Sequence, residues 1–248
     1  MTTSNQQLAQ KPKFSVMITT QSYQNLINNT LRDPDRARSF TASITSAVAV
    51  NPALQECDAG TILAGALLGE SLKLSPSPQL GQYYLVPFKN KRQQTTTAQF
   101  VLGYKGYVQL ALRSGQYKDL DVMVIKQGEY MGKDPETGKA RFKFIEDDDV
   151  RDALPTVGYM AYFEYMNGFR KVLYWSKEKM MTYADTYSQA FSRKGYEDLL
   201  AGKVPQGEMW KYSSFWYKNF DDMAKKTMLR QLISRWGVMS IEMTKAME

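Results

Sequence analysis

The sequence contains no histidine. That one absence removes Ser-His-Asp triads, Cys-His dyads, histidine-ligated metal nucleases and zinc sites built on Cys and His. Cysteine is nearly absent too. Cys57 stands alone, so no intramolecular disulfide can form, and a reducing compartment is expected. Its expected role is that of a small buried hydrophobe. Long apolar runs are also missing: the most apolar stretch, residues 62–68, is far too short to cross a bilayer. Residues 1–13 are polar and Gln-rich, unlike a signal peptide, and read as a flexible tail. These absences predict a soluble, cytoplasmic chain with no membrane partner.

A further absence is local. Residues 82–118 contain no Asp or Glu, yet they carry Lys89, Lys91, Arg92, Lys105, Arg113 and Lys118. Tyr83, Tyr84, Phe88, Phe100, Tyr104, Tyr107 and Tyr117 are threaded among them. Cations neutralise phosphates and aromatic faces stack on unpaired bases, so this pattern points to single-stranded nucleic acid. The plainer reading is a basic sheet edge with tyrosines in the core. Over the whole chain 32 basic residues face 25 acidic ones. The net charge of +7 suggests a polyanionic partner without establishing one.

The 248 residues suffice for one large core. The periodicity predicts helices over 21–31, over 33–51 with Pro34 in the first turn, and over 58–72 capped by Asp58. Ser75-Pro76-Ser77-Pro78 breaks the pattern, and two β-rich segments, 83–88 and 95–102, follow as a hairpin. A helix is predicted over 103–114 and strands over 120–127 and 141–145, with a loop at 132–138. A second hairpin, 157–165 with 169–175, turns at Asn167-Gly168. Ser176 caps a helix. A Gly/Pro-punctuated stretch over 195–207 precedes a long final helix over 213–236. Helices, then strands, then helices predict an α+β fold with an antiparallel sheet. The expected organisation is a tail over 1–13, one core over 14–236 and a helical extension over 237–248.

No catalytic constellation stands out. Gly132-Lys-Asp-Pro-Glu-Thr-Gly138-Lys139-Ala140 has one residue too many between its glycines for a phosphate loop, and Ala140 where Ser or Thr must hold magnesium. A metal-dependent nuclease needs only carboxylates and a lysine, and Asp119 with Asp121, residues 146–149, and Asp221 with Asp222 are its candidates. No acidic-x-Lys element supports them. Asp221 and Asp222 lie four residues before Lys225 and Lys226, the spacing of ordinary helix ion pairs. Arg230 and Arg235 have no acid four positions upstream, which that pairing leaves unexplained.

The run Trp216-Tyr-Lys-Asn-Phe-Asp-Asp-Met-Ala-Lys-Lys-Thr-Met-Leu-Arg-Gln-Leu-Ile-Ser-Arg-Trp236 is dense in both apolar and basic residues. Together with Leu102-Gly-Tyr-Lys-Gly-Tyr-Val-Gln-Leu-Ala-Leu-Arg-Ser-Gly115 it resembles the RecT family of phage single-strand annealing proteins, over roughly residues 20–245. The resemblance implies an ATP-independent recombination protein, with no cofactor, metal or catalytic residue, in the cytoplasm of a bacterial host. It implies a homo-oligomer, as ring or helical filament, that coats single-stranded DNA and holds an annealed duplex intermediate. Partners would be a phage exonuclease and the host single-strand-binding protein. The fold would be a sheet with helices around a basic DNA-binding groove, similar to that of other annealing proteins.

On that reading the phosphate-binding candidates are Lys105, Arg113, Lys118, Lys211, Lys218, Lys225, Lys226 and Arg230. Tyr104, Tyr107, Trp210 and Tyr212 are candidates for base contact, against the usual fate of Tyr and Trp as core. A carboxylate nuclease and a basic scaffold for an acidic protein partner are the alternatives.

Overall fold

The computed structural model describes residues 12–90 and 94–237. The tail expected over 1–13 therefore falls outside it except for Pro12 and Lys13, and the extension over 237–248 except for Gly237. Lys91 and Arg92 also lie outside the described residues. The chain divides into two compact units, Met1–Gly106 and Tyr107–Glu248.

The first unit opens with α1 (Phe14–Met17), α2 (Gln21–Leu31) and α3 (Pro34–Val50). The Asp33 carboxylate caps α3 by accepting from the amides of Asp35 and Arg36 at 2.9 and 3.1 Å. A 3-10 turn at Pro52–Glu56 leads to α4 (Ala59–Ser71), capped by Asp58 as expected. Cys57 is buried between them. The hairpin of β1 (Tyr83–Asn90) and β2 (Thr95–Leu102) then packs on α4. Gly69 makes that contact possible: a Cβ there would meet the Tyr83 ring at 2.4 Å. Beyond α4 the chain closes in a Schellman motif, with Leu74 N–H bonded to the Gly69 carbonyl and Lys73 N–H to that of Glu70, both at 2.9 Å. Lys73 occupies the left-handed position, φ 53°, that such caps usually give to glycine.

Helix α5 (Tyr104–Arg113) follows, and the division between the units falls inside it. The second unit holds β3 (Tyr117–Lys126), the short pair β4 (Tyr130–Lys133) and β5 (Ala140–Phe142), and α6 (Asp148–Ala153). Next come β6 (Thr156–Tyr165), β7 (Arg170–Ser176), α7 (Lys177–Tyr187) and α8 (Arg193–Leu200). A 3-10 turn at Gln206–Tyr212 precedes α9 (Phe215–Lys218) and α10 (Phe220–Trp236). Strands β3, β6 and β7 form an antiparallel sheet in the order β3-β6-β7. The β6–β7 turn runs through Asn167 and Gly168, whose φ of 84° suits glycine. Helix α10 lies on this sheet, burying Phe220, Ala224, Met228, Leu229, Leu232 and Ile233. Each large apolar side chain so buried contributes roughly 1.5–3 kcal/mol.

The α+β class with antiparallel sheets stands, but several elements differ from expectation: α1 and α6 form where no helix was expected, and β5 ends at Phe142 where the strand was expected to reach 145. Strand β3 begins at Tyr117, three residues early. The loop expected at 132–138 is shortened by β4, whose Gly132 has φ 89° and which pairs with β5. Helix α8 forms inside a stretch read as irregular because of Gly195: the Ser192 hydroxyl caps it through the Gly195 amide at 3.3 Å, and Tyr196 is buried. The long final helix is broken at Asn219, which leaves helical geometry (φ −139°, ψ 62°) and separates α9 from α10.

Candidate nucleic-acid interface

Helix α10 carries Asp221, Asp222, Lys225, Lys226 and Arg230, and the fold decides which of them meet. Asp221 points to the sheet. It accepts hydrogen bonds from the Tyr159 hydroxyl at 2.6 Å and the Thr156 hydroxyl at 3.3 Å. Burial, with that bond adding to it, holds the Tyr159 phenol far above its ordinary range. Asp222 takes Lys225 at 2.8 Å. Both acids are thereby committed, and neither reaches Lys226.

Lys226 is half-buried, and among the described residues no carboxylate pairs with it or with Arg230 one turn further on. Desolvation, with the Arg230 charge adding to it, pulls the Lys226 ammonium down to about 8. Two cations held side by side without a counter-charge are an electrostatic cost within the protein and a ready seat for an anion. Tyr107, from α5, lies in the field of Arg230, and burial raises its phenol against that field. At 3% exposure Tyr107 is core, not a surface ring.

The other candidate cations are placed differently. Lys118, on β3, donates to the Glu164 carboxylate of β6 at 2.8 Å, and Arg170 of β7 donates to the other oxygen at 2.5 Å. Lys211 pairs with Glu208 at 3.0 Å and lies 5.8 Å over the Trp210 ring. Arg113 donates to the Gln109 carbonyl at 3.3 Å. Lys218 ends α9, exposed and without an ion pair among the described residues. Lys105 opens α5 in the first unit, exposed and likewise unpaired.

The aromatic candidates separate as well. Trp210 is 72% exposed on its 3-10 turn, whereas Tyr212 is half-buried and meets Tyr217 edge-on at 5.0 Å. Tyr104 is half-buried in the first unit. Of the basic-aromatic window, Tyr83, Tyr107 and Tyr117 are core, and Phe100 stacks on Tyr83 at 4.9 Å. The geometry thus brings together Lys226 with Arg230, Lys211 with Trp210, and Lys118 with Arg170 around Glu164. Sequence reasoning missed Arg170 and Glu164, because their meeting with Lys118 depends on strand register alone. It also missed Lys171, whose ammonium sits 3.7 Å over the Trp236 ring.

The carboxylates proposed for metal are occupied structurally. Asp119 accepts from the Tyr162 hydroxyl at 2.8 Å, and Asp147 caps α6 through the Val150 amide at 3.1 Å. Among the described residues no three Asp, Glu, Cys or His side chains gather as metal ligands. Among the same residues no helix is long and apolar enough to cross a membrane.

The RecT family model matches residues 38–248. Uncharacterized protein YqaK of Bacillus subtilis (strain 168) is 36% identical over 211 residues, covering 85% of this chain and 63% of the relative. Protein RecT of Escherichia coli (strain K12) is 28% identical over 197 residues, covering 79% and 64%. The chain thus spans less than two thirds of the length of either relative. With the match running from α3 through α10, the chain belongs to the RecT family.

Proposed function

We propose that this protein binds single-stranded DNA through its phosphates and anneals complementary strands in homologous recombination, without nucleotide hydrolysis. The observation that carries this reading is the pair Lys226 and Arg230 on α10, which no carboxylate compensates among the described residues and whose neighbouring acids on the helix are bound elsewhere. A phosphate seated there relieves the repulsion between the two cations and favours the charged form of Lys226. Its binding also releases counterions from the strand. Lys218 and Lys105 extend the supply of unpaired cations, and Trp210 beside Lys211 offers a face for stacking. The buried Tyr107 supports α5 and takes no part in base contact.

Annealing requires two polyanions to lie side by side with their bases accessible. Holding the backbones offsets strand repulsion and leaves Watson–Crick edges available to sample register. Pairing then supplies the free energy. Family membership further supports a homo-oligomeric ring or filament, an exonuclease that exposes the strand, and a host single-strand-binding protein as partners in a bacterial cytoplasm. The carboxylate nuclease loses ground because its candidate acids cap helices and bond tyrosines.

The test is ATP-free annealing of two labelled complementary oligonucleotides across a salt series, with strand length checked on a gel. Salt-sensitive acceleration with intact strands is expected. Shortened strands after magnesium addition, or no acceleration, overturn the proposal.

A further inference from the structure

Lys225 and Lys226 are adjacent on α10 and both half-buried, yet they differ in what stands about one turn away. Lys225 meets the Asp222 carboxylate at 2.8 Å. Lys226 meets no carboxylate among the described residues, since Asp222 is taken by Lys225 and Asp221 by Tyr159 and Thr156. Four residues beyond Lys226 stands Arg230, which is exposed. Residues at that spacing share one helix face, with Cβ atoms about 5–6 Å apart. An amine and a guanidinium therefore share a small patch of surface, the first half-buried and the second open to solvent.

The two groups bring different chemistry. Arg230 is always charged and presents a planar fork that fits phosphate oxygens. Lys226 becomes a nucleophile once it loses its proton. Burial promotes that loss, the Arg230 charge adds to it, and the ammonium is drawn down to about 8. Tyr107 of α5 also lies in the field of Arg230, but burial raises its phenol, which stays neutral. At pH 7 about a tenth of Lys226 is neutral, against fewer than about one in a thousand for an ordinary lysine. Desolvation beside a second cation is a general way of making a lysine amine nucleophilic.

We propose that Lys226 is a site of acylation by small acyl phosphates, with Arg230 holding the phosphate end of the donor. The neutral Lys226 amine attacks the acyl carbonyl carbon, and the bond from that carbon to the phosphate oxygen breaks. An amide forms on Lys226, inorganic phosphate leaves from Arg230, and the surplus proton on nitrogen passes to solvent. Acylation removes the Lys226 charge and leaves Arg230 alone on that face. The consequence for strands rests on the α10 pair being what holds them; the modification itself does not.

The experiment treats the whole protein with acetyl phosphate at pH 7 and follows each acetylated lysine by peptide mass spectrometry. Lys226 should be acetylated about tenfold or more faster than Lys225, its larger neutral fraction outweighing its lower basicity. Between pH 7 and 9 the rate at Lys226 should rise and level off. The uncharged reagent N-acetoxysuccinimide reads nucleophilicity without a phosphate, so the preference for Lys226 over Lys225 should be smaller with it. Arg230→Gln should abolish that difference between the reagents, with a thermal melt to verify the fold.

Saturation with an oligothymidylate should slow acetylation of Lys226. Selective acetylation that the oligothymidylate does not slow sustains the modification and removes Lys226 from the strand site. Equal rates at Lys226 and Lys225 with acetyl phosphate, or an equal preference for Lys226 with both reagents, overturn the proposal.

Discussion

Among the described residues of the second unit, the pairs Lys118 with Arg170 and Lys226 with Arg230 differ in whether a carboxylate stands between the two cations. At the sheet, Lys118 and Arg170 share the Glu164 carboxylate at 2.8 and 2.5 Å. On α10, Lys226 and Arg230 share no carboxylate among the described residues: Asp221 is held by Tyr159 and Thr156, and Asp222 by Lys225. A count of lysines and arginines does not distinguish the two clusters. What makes an anion site is the absence of an available carboxylate: Asp222, four residues before Lys226, pairs with Lys225, and Asp221 accepts from Tyr159 and Thr156.

Breaking the α10 cluster should have the largest effect. Lys226→Glu with Arg230→Glu is expected to weaken single-strand binding on the order of a hundredfold at low salt, roughly tenfold per reversed contact. Fluorescence anisotropy with a labelled oligothymidylate reads it, alongside a thermal melt to verify the fold.

The opposite change can be made at the sheet. Glu164→Gln releases Lys118 and Arg170 from their shared carboxylate and should convert that cluster into an anion site. The expected result is tighter strand binding, with a log–log salt slope steeper by up to about 1.4, or ~0.7 for each added phosphate contact. An unchanged slope would show that a released cation is not enough. Glu164 also carries a pH consequence. The hydrogen bonds from Lys118 and Arg170 hold its carboxyl below the ordinary carboxylate value. Its stabilising contribution is complete above the unfolded-state value and disappears as pH falls through the lowered one. The parent should therefore lose more stability on acidification than Glu164→Gln does.

A smaller effect should follow pH at the alkaline side. Lys226, pulled down to about 8, is mostly charged at pH 7 and mostly neutral at pH 9. Strand affinity should fall across that interval by the worth of one phosphate contact, and Lys226→Arg should flatten the fall. The sign for stability is opposite. Between about 8 and the ordinary lysine value the unfolded chain binds a proton that the folded chain does not, so this residue's contribution to stability rises with pH.

Much of the fold was legible because it is locally encoded. Asp33-Pro34, Asp58 and Ser176 announce helix starts by their capping chemistry, and Asn167-Gly168 fixes the β6–β7 turn. Where local signals conflict with packing, the sequence misleads. Gly195 weakened a helix that Tyr196 anchors in the core, and the dense pattern around Asn219 concealed a break. The site was half legible. Lys226 and Arg230 are neighbours by helical spacing alone, and the absence of an acid four residues before Arg230 was a usable signal. That Asp221 would turn to the sheet was not legible, since Tyr159 is 62 residues away along the chain. Nor was the loss of Lys118 to Glu164, 46 residues distant. Such pairings depend on register, which composition does not carry.

The most direct test compares the two clusters in one experiment: the salt dependence of oligothymidylate binding by the parent, by Lys226→Gln/Arg230→Gln and by Lys118→Gln. Loss of the two α10 contacts should lower the log–log slope by about 1.4, while Lys118→Gln should leave it within experimental scatter of the parent. Equal slopes for the parent and the α10 variant, or a drop confined to Lys118→Gln, would contradict the claim that uncompensated charge on α10 is what holds the strand.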